Sequence, residues 1–253
     1  MEKNNIRIIL GIDVSTACLG VSLAKYDGEE LNILKVSYVK LKTPKKIKGT
    51  ESLFYKAKQF KEEFIDKYKN IGITDIIIEE PLPNSMNTET VSTLLRFNGM
   101  ISQSIYEATG IVPKYISSYD ARKYAFPELM AIRKFNKKGE QYDAKKIRNS
   151  LKKNELVLYG DYPFNCEKKF IIWNKITEKI KDIEWVYNKK GELKTENFDA
   201  SDSLTCILGY INKEKYKDEI FEIINIEDKA ENSIILYTTK LGDMIINKRL
   251  TLQ

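Results

Sequence analysis

The chain has 253 residues, of which 42% are hydrophobic, and its 42 Lys and Arg against 36 Asp and Glu give a formal net charge of +6. This composition predicts a globular protein with a substantial core and is compatible with a polyanionic partner. Histidine is absent, which excludes a Ser-His-Asp triad, a Cys-His nucleophile pair and a His-ligated zinc site. Hydrolytic chemistry would therefore depend on carboxylates, Lys, Tyr or a metal with oxygen ligands.

The sequence of the first half of the chain predicts five strands and two helices. Residues Ile6–Asp13 alternate with a period of two, and two further strand patterns follow at Leu19–Leu23 and Leu31–Leu41. An amphipathic helix around residues 53–65 precedes the near-continuous apolar strand DIIIEEP. A second helix begins at Asn87 or Thr88 and ends at Gly110, and VPKYISS is the fifth strand.

The second half of the chain is less regular. Residues Asp120–Asn165 are basic and poorly periodic, and no element is assigned there. A helix is expected from about Glu167 to Ile180, a hairpin in IEWVYNKKGELKTEN, a helix in FDASDSLTCILGYI and a strand in SIILYTT. The element order predicts an α/β fold with a mixed sheet and helices packed on it, for which the five-stranded RNase H fold is one solution.

The cysteines and the apolar segments indicate an intracellular protein. Cys18, Cys166 and Cys206 are far apart and show no CxxC spacing, which is typical of free thiols in a reducing cytosol. The N-terminal segment lacks the apolar region of a signal peptide, and no apolar run approaches the ~18 residues of a membrane span. We expect a cytoplasmic protein without a membrane partner.

Carboxylates recur where predicted elements begin or end. Asp13 follows the apolar stripe of the first strand, Glu79 and Glu80 end DIIIEEP, and Asp199 and Asp202 lie one turn apart where the last helix begins. Each has a plain alternative interpretation, such as contact with solvent or with the helix dipole. If they converge at one end of the sheet, their mutual repulsion would be relieved by divalent cations such as Mg²⁺.

Three segments together, LGIDVSTACLGVSLA, DIIIEEPLP and FDASDSL, resemble the RuvC-type Holliday-junction resolvases of the RNase H-like (retroviral-integrase) superfamily. VSTLLRFNGMISQSI and KKFIIWNKI are especially similar to the bacteriophage-encoded branch of that family. The resemblance covers roughly residues 6–212. It implies a nuclease domain over residues 1–214, a basic insertion at about 126–165 that is longer than in compact bacterial members, and a C-terminal extension, 215–253, of unknown role.

The resemblance also implies roles for individual residues. Asp13, Glu79, Asp199 and Asp202 would bind two Mg²⁺ or Mn²⁺ ions per active site, and Glu80 would support these ligands rather than bind metal. Lys169 matches the family's catalytic lysine better than Lys168, because Ile172 and Ile176 then occupy the family's apolar positions. Phosphate contacts are expected from loop and insertion lysines, namely Lys45, Lys46, Lys48, Lys137, Lys138, Lys152 and Lys153.

The implied activity is metal-dependent, structure-selective endonucleolytic cleavage of four-way (Holliday) junctions, with other branched DNA as further candidate substrates. The family acts as a homodimer, and if the gene is phage-encoded the protein would work in the host cytoplasm. Subunits of the family pair through the helix Thr88–Thr109, where Gly99 and Ser102 stand beside Leu95 and Ile101. Packing within the core explains the same spacing equally well.

Three other functions are compatible with parts of the sequence. An actin-like sugar kinase or ATPase also opens with Gly-Ile-Asp, but the second Asp loop and the Gly-rich adenosine motif of that class are not found. A restriction-type nuclease could use Asp182 with Glu192 and Lys194, but these lie in a hydrophilic turn rather than a core strand. A non-catalytic RNase H-like module could bind branched DNA without cutting it.

Overall fold

The computed structural model describes residues 6–81, 88–131, 136, 138, 140–153, 157–158, 167–217, 219, 222–229 and 234–251. The chain divides into two compact units. The first unit comprises Met1–Ala121 with Lys169–Tyr210, and the second unit comprises Arg122–Lys168 with Ile211–Gln253. Within the described residues, no helix is both long enough and apolar enough to cross a membrane.

The first unit is built on the mixed five-stranded sheet that the sequence predicts. Strands β1 (Arg7–Val14), β2 (Cys18–Tyr26) and β3 (Leu31–Lys40) are antiparallel neighbours, whereas β4 (Asp75–Glu80) and β5 (Lys114–Ser117) run parallel to β1. The strand order is β3-β2-β1-β4-β5. Because β1 and β4 are parallel neighbours, their carboxyl ends lie together at one end of the sheet.

Helices follow the strands along the chain. They are α1 (Gly49–Phe60), α2 (Asp66–Tyr68), α3 (Thr88–Thr109), α4 (Ser118–Ala125), α5 (Ala144–Lys152), α6 (Lys168–Lys179) and α7 (Glu196–Lys215), with a π-helical turn at Lys61–Ile65 joining α1 to α2. Helices α1, α3, α6 and α7 follow the strands in the predicted order, whereas α4 and α5 lie largely or wholly where the sequence predicts no element. The predicted hairpin between α6 and α7 has its turn at Gly191, but its pairing is a single bridge between Tyr187 and Leu193.

Helices α1 and α3 cover one face of the sheet. Leu10 and Ile12 of β1 belong to one buried cluster with Phe60 of α1 and with Phe97 and Ile101 of α3. Side chains of a strand alternate between its faces, so the period of two in β1 sends Gly11 and Asp13 to the opposite face.

The opposite face carries α7, and two glycines allow the helix backbone to approach it. A Cβ on Gly20 of β2 would lie 1.8 Å from the carbonyl oxygen of Asp199, and one on Gly11 would lie 2.2 Å from the carbonyl oxygen of Ser203. Neither position can accept a side chain unless backbone moves. Beside them, the hydroxyls of Ser22 and Ser203 share a buried hydrogen bond of 2.7 Å.

The second unit contains elements that the sequence analysis left unassigned. Its strands are β6 (Met130–Ala131), β7 (Val157–Leu158), β8 (Glu222–Lys229), β9 (Ile234–Leu241) and β10 (Met244–Thr251). β6 pairs with β7, and the other three form an antiparallel sheet in the order β10-β9-β8. The predicted tail strand is β9, whereas β8, β10 and α5 were not foreseen.

The predicted insertion and C-terminal extension share the core of the second unit. Ile147 of α5 is buried in one cluster with Ile235, Tyr237 and Leu250. A second cluster combines residues from both segments, namely Tyr124, Met130, Tyr216 and Leu241. Residues of the two segments thus share the core of the second unit. The boundary at residue 214, between a nuclease domain and an extension of unknown role, stays a prediction.

We predict that Gly20→Ala destabilises the protein by about 1–3 kcal/mol or more, because the added Cβ must displace the α7 backbone at Asp199. Urea unfolding at fixed protein concentration measures the effect. Lys58→Ala in α1 is the control: its side chain is exposed and makes an exposed ion pair with Glu62, so its loss should change stability by less than about 0.5 kcal/mol. Equal midpoints for the two variants would contradict the close packing of α7.

Candidate metal centre

Two neighbouring strands deliver carboxylates to the same end of the sheet. Asp13 of β1 lies opposite Gly20 of β2, and Glu79 is the fifth of the six residues of β4. Each follows directly on the cross-strand pair Ile12–Ile78. In parallel strands, the residues after such a pair face the same side, which here is the side that carries α7.

Helix α7 supplies the third carboxylate. Asp202 is 3% exposed, and one carboxylate oxygen from each of Asp13, Glu79 and Asp202 lies within 4.8 Å of the other two. The close approach of α7 at Gly20 and Gly11 brings its first two turns against the strands. Three predicted metal ligands, far apart in sequence, are thereby brought together.

In this carboxylate cluster (Asp13, Glu79 and Asp202) the repulsion between negative charges exceeds the attraction of the nearby Lys169. Burial raises the pKa of Asp13 well above its ordinary value of 3.8, and the charges of Glu79, Asp202 and Asp199 raise it further, opposed by Lys169. Carboxylate oxygens are the ligands that Mg²⁺ and Mn²⁺ prefer, and a divalent cation would offset this repulsion. The three carboxylates therefore fit a hard divalent cation.

Asp199, the fourth predicted ligand, lies beside the cluster rather than within its three-residue group. Its Oδ1 accepts a hydrogen bond of 3.0 Å from the Lys169 ammonium, which also lies 3.9 Å from Oδ2 of Asp202. Burial lowers the pKa of Lys169, but the charges of Asp199, Asp202 and Asp13 outweigh burial, so the net shift is upward. Lys169 stays cationic at neutral pH.

Packing of α6 places Lys169 at this end of α7. Ile172 and Ile176 are fully buried, as expected from the predicted register of α6. Phe170 lies edge-on to Phe198, in the first turn of α7, with ring centroids 6.4 Å apart. The position of the lysine is thus set by apolar contacts of its neighbours. Lys168 is exposed and precedes it by one residue.

The cysteine near the cluster, Cys18, is not a reactive group. Cys18 and Cys206 are free and buried, as predicted, whereas Cys166 lies outside the described residues. Burial, followed by the charge of Asp199, raises the pKa of Cys18 to about 12. A thiol with this pKa remains protonated, so it offers neither a nucleophile nor a metal ligand at neutral pH.

A cavity of about 250 Å³ opens beside Asp13 and Glu79. Glu80, which is exposed, lines its rim, and Thr90 and Asn98 of α3 form part of its wall. Asn98 is 4% exposed, and its Oδ1 has no hydrogen-bond partner among the described residues. Asn98 is not among the predicted site residues; its signal in the sequence is a polar residue within the apolar stripe of α3.

The predicted phosphate-binding lysines are distributed over both units. Lys45, Lys46 and Lys48 are exposed in the connection between β3 and α1. Lys138 and Lys153 are exposed in the second unit. Lys152 belongs to α5 without a described side chain, and Lys137 lies outside the described residues.

The fold has counterparts among solved structures. RuvC of Thermus thermophilus in complex with a Holliday junction substrate matches with a TM-score of 0.50 at 11% identity, covering 82% of this chain and 95% of that one. The fold is RNase H-like. A second structure of RuvC from the same organism matches with a TM-score of 0.48 at 11% identity, covering 82% of this chain and 95% of that one. The yeast mitochondrial Holliday junction resolvase Ydc2 matches with a TM-score of 0.44 at 14% identity, covering 81% of this chain and 77% of that one. No protein-family model and no curated protein sequence matches the chain.

We predict that Asp13→Asn raises the thermal midpoint of the metal-free protein at neutral pH. A carboxyl whose pKa is raised by folding stabilises the fold below its ordinary pKa and loses that contribution as pH rises through the raised value. The gain from Asn should therefore shrink toward pH 4. At neutral pH the rise in the thermal midpoint should amount to roughly 2–4 °C for each kcal/mol of repulsion removed.

Thermal unfolding in chelator, repeated after addition of Mg²⁺, measures both effects. Mg²⁺ should stabilise the wild type more than the variant, because the variant has lost a ligand. Asp66→Asn is the control, since Asp66 accepts hydrogen bonds from Lys61 and Lys69 that lower its pKa. A fall in the chelator midpoint for Asp13→Asn would show that the cluster is not repulsive.

Proposed function

We propose that the protein is a metal-dependent, structure-selective endonuclease that resolves four-way junctions, with other branched DNA as further substrates. The observation that carries the proposal is the group of three carboxylates at the ends of β1, β4 and α7. The shared fold with RuvC supports it, and the sequence motifs support a place in the bacteriophage-encoded branch, working in the host cytoplasm. For the kinase-type alternative, the sequence lacks the second Asp loop and the Gly-rich adenosine motif of that class.

In this proposal each charged residue has a distinct task. Asp13, Glu79 and Asp202 would hold Mg²⁺ or Mn²⁺, with Asp199 as the remaining ligand. Bound divalent ions supply activation of water and stabilisation of both oxygens in phosphodiester hydrolysis. Lys169 contributes a permanent positive charge next to this site, and it keeps Asp199 and Asp202 oriented. Glu80 acts from the rim of the cavity.

The decisive experiment compares an immobile four-way junction with linear duplexes of the same arm sequences, in Mg²⁺ and in EDTA. The wild type should nick the junction at symmetric positions in Mg²⁺ only. Glu79→Gln should lower the rate by several orders of magnitude, because Glu79 belongs to the carboxylate cluster. The matched control Glu80→Gln should cost ~10-fold or less, as is common for residues that support ligands.

Other outcomes of that experiment would favour other functions. Tight junction binding without any cleavage would support a non-catalytic branched-DNA-binding module. Metal-dependent phosphate release from ATP without cleavage would support a kinase or ATPase. The reverse ranking of the two glutamate variants would place the metal ligand at Glu80.

Lys169 can be tested against its neighbour. Lys169→Ala should reduce the single-turnover cleavage rate at saturating protein by roughly 10²-fold, since a cation beside the reacting phosphate stabilises charge that develops in the transition state. Junction affinity should change little. Lys168→Ala is the control, because the next position on a helix points about 100° away. Wild-type rates for both variants would remove Lys169 from the proposed mechanism.

We also propose that the protein is a homodimer that pairs through the outward face of α3. Ile101 is fully buried in the core, but Leu95 is 49% exposed and Tyr106 is 48% exposed on the other side of the helix. Gly99 lies between them, and among the described residues nothing beyond the backbone of α3 comes within 4 Å of a Cβ built on it. Such a face, apolar with a small residue at its centre, suits close contact with a second copy, and two active sites would match a two-fold-symmetric junction.

Sedimentation velocity checks the dimer. The wild type should sediment as a dimer, and Leu95→Glu should sediment as a monomer, because each interface would then bury two carboxylates. Glu107→Gln, an exposed change on the same helix, should leave the dimer intact. A monomeric wild type at all concentrations would contradict the proposal.

A further inference from the structure

Helix α5 of the second unit has one anchored face. Ile147 is 1% exposed and packs in a cluster with Ile235 and Tyr237 of β9 and Leu250 of β10. Asp143 precedes the helix, and its Oδ1 accepts the backbone N–H of Lys146 at 2.7 Å, as an N-terminal cap does. The helix is therefore held at its start and on one side.

The opposite face of α5 is exposed and positively charged. Lys145, Lys146 and Asn149 are exposed, and so is Lys153, directly after the helix. At 100° per residue these four positions fall within one third of the helix circumference, on the side away from Ile147. The Lys146 ammonium lies 3.9 Å from the centroid of the Tyr142 ring, a cation–π distance.

Helix stability does not explain this charge pattern. The sequence AKKIRNSLK contains four cations and no Asp or Glu, so it lacks the opposite-charge pairs that stabilise exposed helices. Lys145 and Arg148, at i and i+3, repel each other. Lys145 and Lys146 also occupy the first turn, where the helix dipole disfavours cations. The pattern costs local stability, which points to a polyanionic ligand.

The charge of the chain is concentrated in the same region. Residues 122–168 contain twelve Lys and Arg against six Asp and Glu, an excess that equals the net charge of +6 of the whole chain. The remaining residues are balanced overall. A positive excess confined to one segment of the sequence is the electrostatic footprint of nucleic-acid binding.

We propose that the exposed face of α5 binds the phosphate backbone of duplex DNA, independently of sequence and of the carboxylate cluster. The inference rests on the proposed function only in taking DNA as the ligand. Three lysines on one helix face can meet successive phosphates, and each contact releases counterions from the duplex. The second unit then adds affinity for DNA arms, while the chemistry belongs to the first unit.

The test uses linear duplex DNA in EDTA, so that neither cleavage nor a junction is required. Binding affinity is measured over a range of salt concentrations for wild type and for the triple variant Lys145→Gln, Lys146→Gln and Lys153→Gln. Loss of three phosphate contacts should lower the slope of log affinity against log salt by roughly 2–3. Far-UV circular dichroism should remain as in the wild type, and the thermal midpoint should be equal or higher, because the variant removes repulsion between cations of α5.

Two matched variants make the result specific. Lys217→Gln with Lys240→Gln and Arg249→Gln removes three exposed cations from the same unit and should leave the slope almost unchanged. The three α5 lysines replaced by Arg should retain the wild-type slope. Equal losses in the α5 and control variants, or no loss in either, would overturn the proposal. Failure of junction cleavage would leave it intact, because linear-duplex binding does not depend on catalysis.

Discussion

The site depends on how closely the backbone of α7 approaches the sheet. Gly11 and Gly20 are neighbours on one face of β1 and β2, and the carbonyls of Ser203 and Asp199 lie where their side chains would be. This distance, rather than the length of any side chain, brings Asp202 to Asp13 and Glu79. The short side chain of an Asp can share a metal with strand residues only if its helix packs this close to the sheet. The two glycines are therefore part of the site although they have no functional side chain.

The same packing creates an electrostatic cost. The helix brings Asp202 and Asp199 toward a partly buried Asp13, and burial with their charges raises the pKa of that carboxyl. One lysine, Lys169, partly compensates, and it is half exposed. Burying like charges without full compensation reduces stability. The metal-free protein therefore stores unfavourable energy at the position where a divalent cation would be bound.

Much of the first unit can be predicted because the sequence patterns that identify its strands and helices are local. The period of two in β1 and the apolar run of β4 identify strands, and Ile172 with Ile176 fixes the register of α6. The second unit was not predictable from the same signals. Ile147 of α5 finds its partners on β9 and β10, more than 85 residues away. The helix has only nine residues, which is shorter than the window over which a helical period is recognised. Asn98 was overlooked for a related reason, since only the fold reveals that its side chain borders the cavity.

The two ends of β4 show that the first unit can offset the charge of a partly buried carboxylate with cationic partners. At the far end, Asp75 of β4 accepts hydrogen bonds from Arg7 at 2.9 Å and from Lys114 at 3.0 Å. Burial alone would raise the pKa of Asp75, but these bonds and one from Thr74 lower it to about 2. Asp75 and Glu79 lie on the same face of one strand, four residues apart. At one end of that strand Asp75 pairs with two cations, whereas at the other end Lys169 lies within 4 Å of Asp199 and Asp202, and Asp13 and Glu79 add two further carboxylates. Within this strand the charge of Asp75 is offset by cations of the protein, so an added divalent cation would meet the larger unbalanced negative charge at the end that carries Glu79.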